Sequence, residues 1–511
     1  YISTNGCIGG TAVFYFVIFW RGNMYKIGFD NNKYLQMQSE RIKERINEFG
    51  GKLYLEFGGK LFDDYHASRV LPGFEPDSKL QMLLQLKEQA EIVLVISADD
   101  IEKNKIRGDL GITYSTDALR LIEAFEGMGL MVGSVVLTKY VSTPRVNAFE
   151  QKLKNRKIPF YHHYLIDGYP ANISKIVSDE GYGKNDYIKT SRSLVVITAP
   201  GPGSGKMATC LSQLYHENKR GIKAGYAKFE TFPIWNIPLK HPVNIAYEAA
   251  TADLNDVNMI DPWHLEAYGK TTVNYNRDVE IFPVLKATFD KIYGKCPYKS
   301  PTDMGVNMAG NCIFDDEAVK EAANQEIIRR FYTAKCNQIK GRANKDEIYK
   351  LELLMNNAGL SVDDRKCAVE ALKLEEETNA PCAAIELNDG TIVTGKTSAL
   401  LGCSSAMLLN ALKTLAKIDD ADLLIAPEVI KPIQELKTGH LGNKNPRLHT
   451  DETLIALSIS ALNDEKAKLA LNQLSKLKNC EMHSSVMLAH VDENLIKKLG
   501  IRLTCSCEKK N

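Results

Sequence analysis

No CxxC pair occurs anywhere in this chain of 511 residues. Its 11 cysteines are odd in number and scattered, and Cys505 with Cys507 is the closest approach to a pair. This excludes a two-pair zinc ribbon, so zinc is not expected. It fits reduced thiols in a cytoplasm better than a disulfide framework. An HExxH helix is also missing, and with it the zinc-peptidase pattern. Charge of one sign is absent: 64 Lys and Arg face 63 Asp and Glu, for a net +1. Neither a nucleic-acid footprint nor an acidic tail follows from that balance. Internal repeats and Pro/Gly/Ser-rich linkers are missing as well. So are long apolar runs. Residues 12–20, AVFYFVIFW, fall well short of the ~20 that a membrane helix needs. No basic stretch precedes them and no small-residue cleavage site follows. Residues 1–23, ahead of Met24, are therefore expected to be an extension outside the folded core.

What is present is an ordinary globular balance, 44% hydrophobic and 25% charged. The length suits two to four domains. The most chemically suggestive stretch is 194–219, LVVITAPGPGSGKMATCLSQLYHENK. A β-branched run, 194–198, predicts a buried parallel strand. Gly201, Gly203 and Gly205 then strip side chains from the backbone, leaving N–H groups free to close around an anion, with Ser204 among them. Lys206 adds a point charge. Helical apolar spacing starts at Met207, so a positive helix end faces the same place. The loop departs from GxxxxGK[ST] at two positions. Pro200 stands where the first Gly belongs, and Met207 where the Mg²⁺-binding hydroxyl belongs. The reading is phosphate binding without standard Mg-nucleotide hydrolysis. A ligand-free Gly-rich turn is the alternative.

Around this stretch, strand-like runs at 53–57, 92–96, 134–138 and 160–164 alternate with helical spacing at 38–49, 79–89, 116–125 and 147–155. The alternation predicts an α/β domain over 24–315, with a doubly wound, mostly parallel sheet. Ligands of such sheets bind beyond the carboxyl ends of the strands. Lys60, Asp99, Asp100, Lys139 and Lys206 all fall at such ends. The polar loop 178–184, which carries Lys184, either closes over a ligand or is a solvated connection. Residues 228–277 are rich in aromatic and polar groups and punctuated by Pro, and read as long ordered loops. They hold the catalytic candidates Glu230, His264, Glu266 and Arg277, each of which could equally be structural.

Helical spacing at 317–332, 346–357 and 369–378 predicts a helical connector over 316–380. From 381 the chain reads as a second α/β domain. Residues 383–395 form a hairpin turning at Asp389-Gly390. A helix at 404–417, a strand at 422–426 and helices at 451–462 and 464–477 follow, with short strands at 487–488 and 503–504.

The run A-P-G-P-G-S-G-K ending at Lys206 resembles a family of bacterial proteins of unassigned function, some of which carry the label ATP-dependent peptidase. The stretches 54–60, 177–184, 229–233, 258–262 and 441–447, with Asn307, support the same likeness, which spans nearly everything from Met24 onward. It implies the fold and the loop chemistry, and transfers no catalytic residues. The last domain looks like the cytidine-deaminase architecture. Cys403-Ser404-Ser405 stands where such enzymes place a zinc ligand and a Glu, and no P-C-x-x-C follows, so deaminase chemistry is not implied. Peptidase machinery is missing too. The GxSxG pattern fails on both sides of Ser204, and Cys210 and His216 are six apart on one helix.

The expectation is a cytoplasmic enzyme acting on a phosphorylated small molecule or nucleotide, with a nucleotide as the one cofactor suggested. A homo-oligomer fits; nucleic-acid and membrane partners do not. A non-catalytic sensor, or a structural oligomer with an empty loop, is the alternative.

Overall fold

The computed structural model describes residues 26–58, 61–62, 64–107 and 110–507. The expected extension at 1–23 and Lys60 lie outside these residues. The described chain forms two compact units that meet in sequence at Arg365 and Lys366. The helices expected as a connector divide there: Asp316–Ile339 and Lys345–Asn357 pack in the larger unit, and Lys366–Thr378 in the smaller.

The larger unit is built on nine strands: β1 (Leu53–Phe57), β2 (Ala90–Ser97), β3 (Met131–Thr138), β4 (Phe160–His162), β5 (Leu194–Thr198), β6 (Gly225–Phe229), β7 (Asn258–Ile260), β8 (Val273–Tyr275) and β9 (Gly305–Val306). Seven of them form one sheet in the order β4-β3-β2-β5-β1-β6-β9, and every neighbouring pair is parallel. The central strands are apolar without alternation because helices cover both faces; β1, β2 and β5 are buried at every position. The chain leaves β2 toward β3 and β4, and leaves β5 toward β6 and β9. The carboxyl ends of β2 and β5 therefore border a topological switch point, where open α/β sheets bind ligands. One face is closed by helices Lys206–Lys219 and Asn276–Tyr293, whose Cys210, Leu214, Phe282 and Phe289 pack on Tyr54, Val95, Val195 and Ile197.

Residues 228–277 are more regular than long loops. They contain the end of β6, the antiparallel ribbon β7–β8, and helices Pro242–Ala250 and Pro262–Tyr268. Pro242 and Pro262 sit in the first turn of their helices, where a missing N–H costs nothing, so they start structure there.

The smaller unit holds a four-stranded mixed sheet of β10 (Cys382–Glu386), β11 (Ile392–Lys396), β12 (Glu481–Ser484) and β13 (Arg502–Cys505), in the order β11-β10-β12-β13. The hairpin β10–β11 is antiparallel, as is β10–β12, while β12–β13 is parallel. Two sequence expectations fail here. Residues 422–426 form no strand: Leu424 and Ile425 enter the core from a turn ahead of helix Pro427–Gly439. Residues 487–488 are irregular, and the strand lies earlier, at β12.

Among the described residues the ten cysteines form no disulfide. Among the described residues no helix is long and apolar enough to cross a membrane.

Candidate functional site

After Thr198 the chain turns through Gly203 (φ 72°) and Gly205 (φ 91°), a left-handed region that side chains disfavour. Gly201 is needed for a different reason: a Cβ there would lie 2.5 Å from the Tyr114 hydroxyl. Gly205 caps helix Lys206–Lys219 without a side chain, and no other side chain caps it. Thr209 N–H to the Gly205 carbonyl is the first bond the helix makes. The N–H groups of Gly203, Ser204, Gly205, Lys206, Met207 and Ala208 have no acceptor among the described residues. Thr138, at the end of β3, donates its hydroxyl to the Ser204 carbonyl at 2.6 Å and ties the loop to the sheet. Ser97, which is in register with Thr138, and Ser204 are both buried, and neither hydroxyl has a partner among the described residues. The half-buried Lys206 ammonium likewise has no ion pair or hydrogen bond among them. Bare amides, a positive helix end and a free ammonium make an arrangement suited to an anion.

A second polar group lies along the same sheet edge. Glu56 of β1 is in register with Ile197 of β5 and Lys228 of β6, so all three share the face under helix Lys206–Lys219. The Tyr226 hydroxyl donates to Glu56 at 2.7 Å. Lys228 Nζ lies 2.8 Å from Glu230 and 2.5 Å from Asp278, and donates to the Tyr275 hydroxyl. Burial pulls the Lys228 ammonium down, but Asp278 and Glu230 outweigh it and hold it well above the ordinary lysine range. Burial pushes the Glu230 carboxyl up to about 7; Lys228 opposes this and the like charge of Asp278 adds to it. Cys210 links the two groups. Burial raises its thiol well above the usual range, Glu56 adds to the rise, and Lys206 works against it.

The sequence candidates scatter. Gly201, Gly203, Ser204, Gly205 and Lys206 come together, and Glu230 joins the ion-pair cluster. Arg277 lies over the ring of Tyr275, a member of that cluster, but pairs with Asp256 at 2.5 Å. Glu266 is exposed. His264 lines a cavity beside β9, with Nδ1 3.0 Å from the Ser300 hydroxyl and 3.8 Å from Asp303. Asp99 lies just past β2 and pairs loosely with Lys139 at 3.8 Å, both half-exposed. The 178–184 loop packs along the far half of the helix, where Tyr215 and Lys219 hold Asp179. Lys184 is exposed, and its ammonium has no partner among the described residues. Sequence reasoning missed Glu56, Lys228 and Asp278. The first two are charges inside otherwise apolar strands, which is itself a signal.

In the smaller unit, Cys403 begins helix Cys403–Ala416. Its Sγ lies 3.8 Å from the Ser484 hydroxyl, and burial pushes the thiol up. His483 is buried between the Thr504 and Ser506 hydroxyls. Among the described residues no cluster of three or more His, Cys, Asp or Glu side chains is placed to hold a metal ion.

Two family models cover the chain: domain of unknown function DUF1846, N-terminal, matches residues 27–359, and domain of unknown function DUF1846, C-terminal, matches 363–511. A UPF0371 protein of Streptococcus pyogenes serotype M3 is 57% identical over 481 residues, spanning 94% of this chain and 97% of that protein. A UPF0371 protein of Streptococcus uberis matches with the same identity and coverage. With both models matching and such relatives along nearly its whole length, the chain belongs to the UPF0371 family of bacterial proteins of unassigned function.

Proposed function

We infer that this protein is an enzyme that binds a phosphorylated small molecule or nucleotide at residues 201–206. One observation supports the reading: donors without a partner among the described residues cluster in and beside this loop. They are six consecutive amides from Gly203 to Ala208, the Lys206 ammonium, and the buried hydroxyls of Ser97 and Ser204. Each is a donor that a phosphate oxygen would satisfy. Met207 supplies no hydroxyl to a Mg²⁺ ion, so the reading stays with phosphate binding and leaves standard Mg-nucleotide hydrolysis aside. Glu230 is the acid–base group. Its carboxyl, near 7, can give or take a proton at neutral pH. β5 and β6 flank β1, so the strands that lead into the loop and into Glu230 stand two spacings, about 10 Å, apart. That span suits a small phosphorylated metabolite.

Calorimetric titration with inorganic phosphate and nucleoside monophosphates tests the binding. The expected result is saturable binding that weakens about tenfold or more in Lys206→Ala; equal binding in wild type and variant overturns it. A Glu230→Gln variant should keep the binding and lose turnover.

A non-catalytic metabolite sensor is the second reading, favoured by Met207; turnover of the bound ligand would remove it. Peptidase chemistry forms no part of either. Ser204 has no hydrogen-bonded base among the described residues, and His216 is engaged with the Asn185 carbonyl. A cytoplasmic location, a homo-oligomeric state and the absence of nucleic-acid or membrane partners go with the balanced charge and free thiols.

A further inference from the structure

Beside β9 lies a cavity of about 490 Å³, within the range of about 300–1,000 Å³ typical of small-molecule sites. Its chemistry differs from that of the loop at 201–206. The charges lining it cancel: Arg41 and Arg45 stand against Glu48 and Asp303, and Glu48 is bonded to both guanidiniums at 3.1 and 3.0 Å. An ionic ligand would break pairs already made, and would leave one partner unmatched. What stays open is neutral hydrogen-bonding capacity. The Asn236 and Asn311 carboxamides bond to each other at 3.0 Å and keep further donors and acceptors free. His264 is held through Nδ1 by Ser300, and its Nε2 has no partner among the described residues. One wall is the indole of Trp235, which lies so close over Gly305 that a Cβ there would collide with the ring. A flat aromatic wall beside groups that both donate and accept matches a ring that is apolar on its faces and carries hydroxyls on its rim.

We propose that this cavity is a second small-molecule site, taking a neutral, hydroxyl-rich ligand of the sugar or polyol class. Trp235 packs against its face, while His264 Nε2 and the Asn236–Asn311 pair bind its hydroxyls. The site stands whether or not the loop binds phosphate.

The test is saturation-transfer NMR on the full chain with glucose, N-acetylglucosamine, ribose and myo-inositol, and with gluconate as the anionic comparator. A change in tryptophan fluorescence that is lost in Trp235→Phe provides a second readout. The expected result is saturable binding of at least one neutral probe, weakened about tenfold in Asn311→Leu, the loss of about one good hydrogen bond, and unchanged in Lys206→Ala. Asn311 is exposed, so its replacement leaves the core alone; Trp235→Phe, which keeps an aromatic wall, checks the same site independently. Three outcomes overturn the proposal: no neutral probe binding at tens of millimolar, binding untouched in both variants, or gluconate binding here more tightly than every neutral probe.

Discussion

Two helices in this chain begin alike and finish in opposite surroundings. Lys206–Lys219 in the larger unit opens at Gly205, and Cys403–Ala416 in the smaller unit opens at Gly402; neither receives a side-chain cap. At the first, Pro202 and Gly203 are exposed and Lys206 is half-buried, so the turn ahead of the helix is open to solvent. At the second, Cys403, Ser404 and Ser405 are each 4% exposed or less. There Cys403 faces the Ser484 hydroxyl, and Ser405 donates to the Leu448 carbonyl at 3.1 Å. The first start lies on the sheet edge that also carries the buried side chains of Glu56, Lys228 and Glu230, the second beside hydroxyls. Every helix leaves its first amides unbonded. What separates the first start from the second is that it is open to solvent and carries a cation, Lys206, beside its amides.

The largest expected effect that sharpens this contrast concerns the charged neighbourhood of the first helix. Glu230 holds its proton up to about 7 in the folded chain, against an ordinary value of 4.5. The folded state therefore binds more protons than the unfolded state between those two values. The contribution of Glu230 to stability is fully present below about 4.5, and is lost as pH rises to about 7. Across that window the loss is on the order of 3 kcal/mol. Denaturant unfolding of wild type and Glu230→Gln from pH 4.5 to 8 measures it. The difference between the two proteins should grow with pH in favour of the variant; a difference that is flat with pH would mean the carboxyl titrates normally. Next in size is Lys206→Ala. Removing a cation bonded to phosphate costs about 1.5–3 kcal/mol of binding, ten- to a hundredfold in affinity. Because Lys206 has no partner among the described residues, the melting temperature of the ligand-free protein should hardly move.

Much of this contrast was legible beforehand. The strand 194–198 is a β-branched, almost wholly apolar run, which a sheet covered on both faces buries, and the glycine loop announced itself through spacing. The same rule misled at 422–426, whose apolar residues are buried from a turn, while the real strand, Glu481–Ser484, carries His483 inward on two hydroxyls. Apolar patterning reports burial, and burial does not require a strand. The ion-pair cluster was half visible. Glu230 stood in an evident polar stretch, but Lys228 and Glu56 sit inside strands, and Asp278 comes from a helix fifty positions beyond Lys228. Only the sheet register brings them to one place.

A smaller effect is expected from Ser405→Ala, at the third helical position of the closed start. It removes a buried hydrogen bond worth about 1 kcal/mol, read as faster amide exchange in helix Cys403–Ala416, and leaves phosphate binding unchanged. Any loss of phosphate binding would show that the two helix starts are not independent.

Ser204→Ala has the smallest expected effect and separates the two readings of the loop most sharply. The hydroxyl is buried without a partner among the described residues, so deleting it removes an unsatisfied group, and the ligand-free protein should be as stable as wild type or slightly more so. If phosphate completes the site, the same deletion removes one donor and weakens binding by about 0.5–1.5 kcal/mol, roughly two- to tenfold. Opposite signs in the two measurements are what an open anion site requires. A gain in stability with no loss of affinity would make Ser204 a packing residue, and would leave the open helix start with one donor fewer than its geometry suggests.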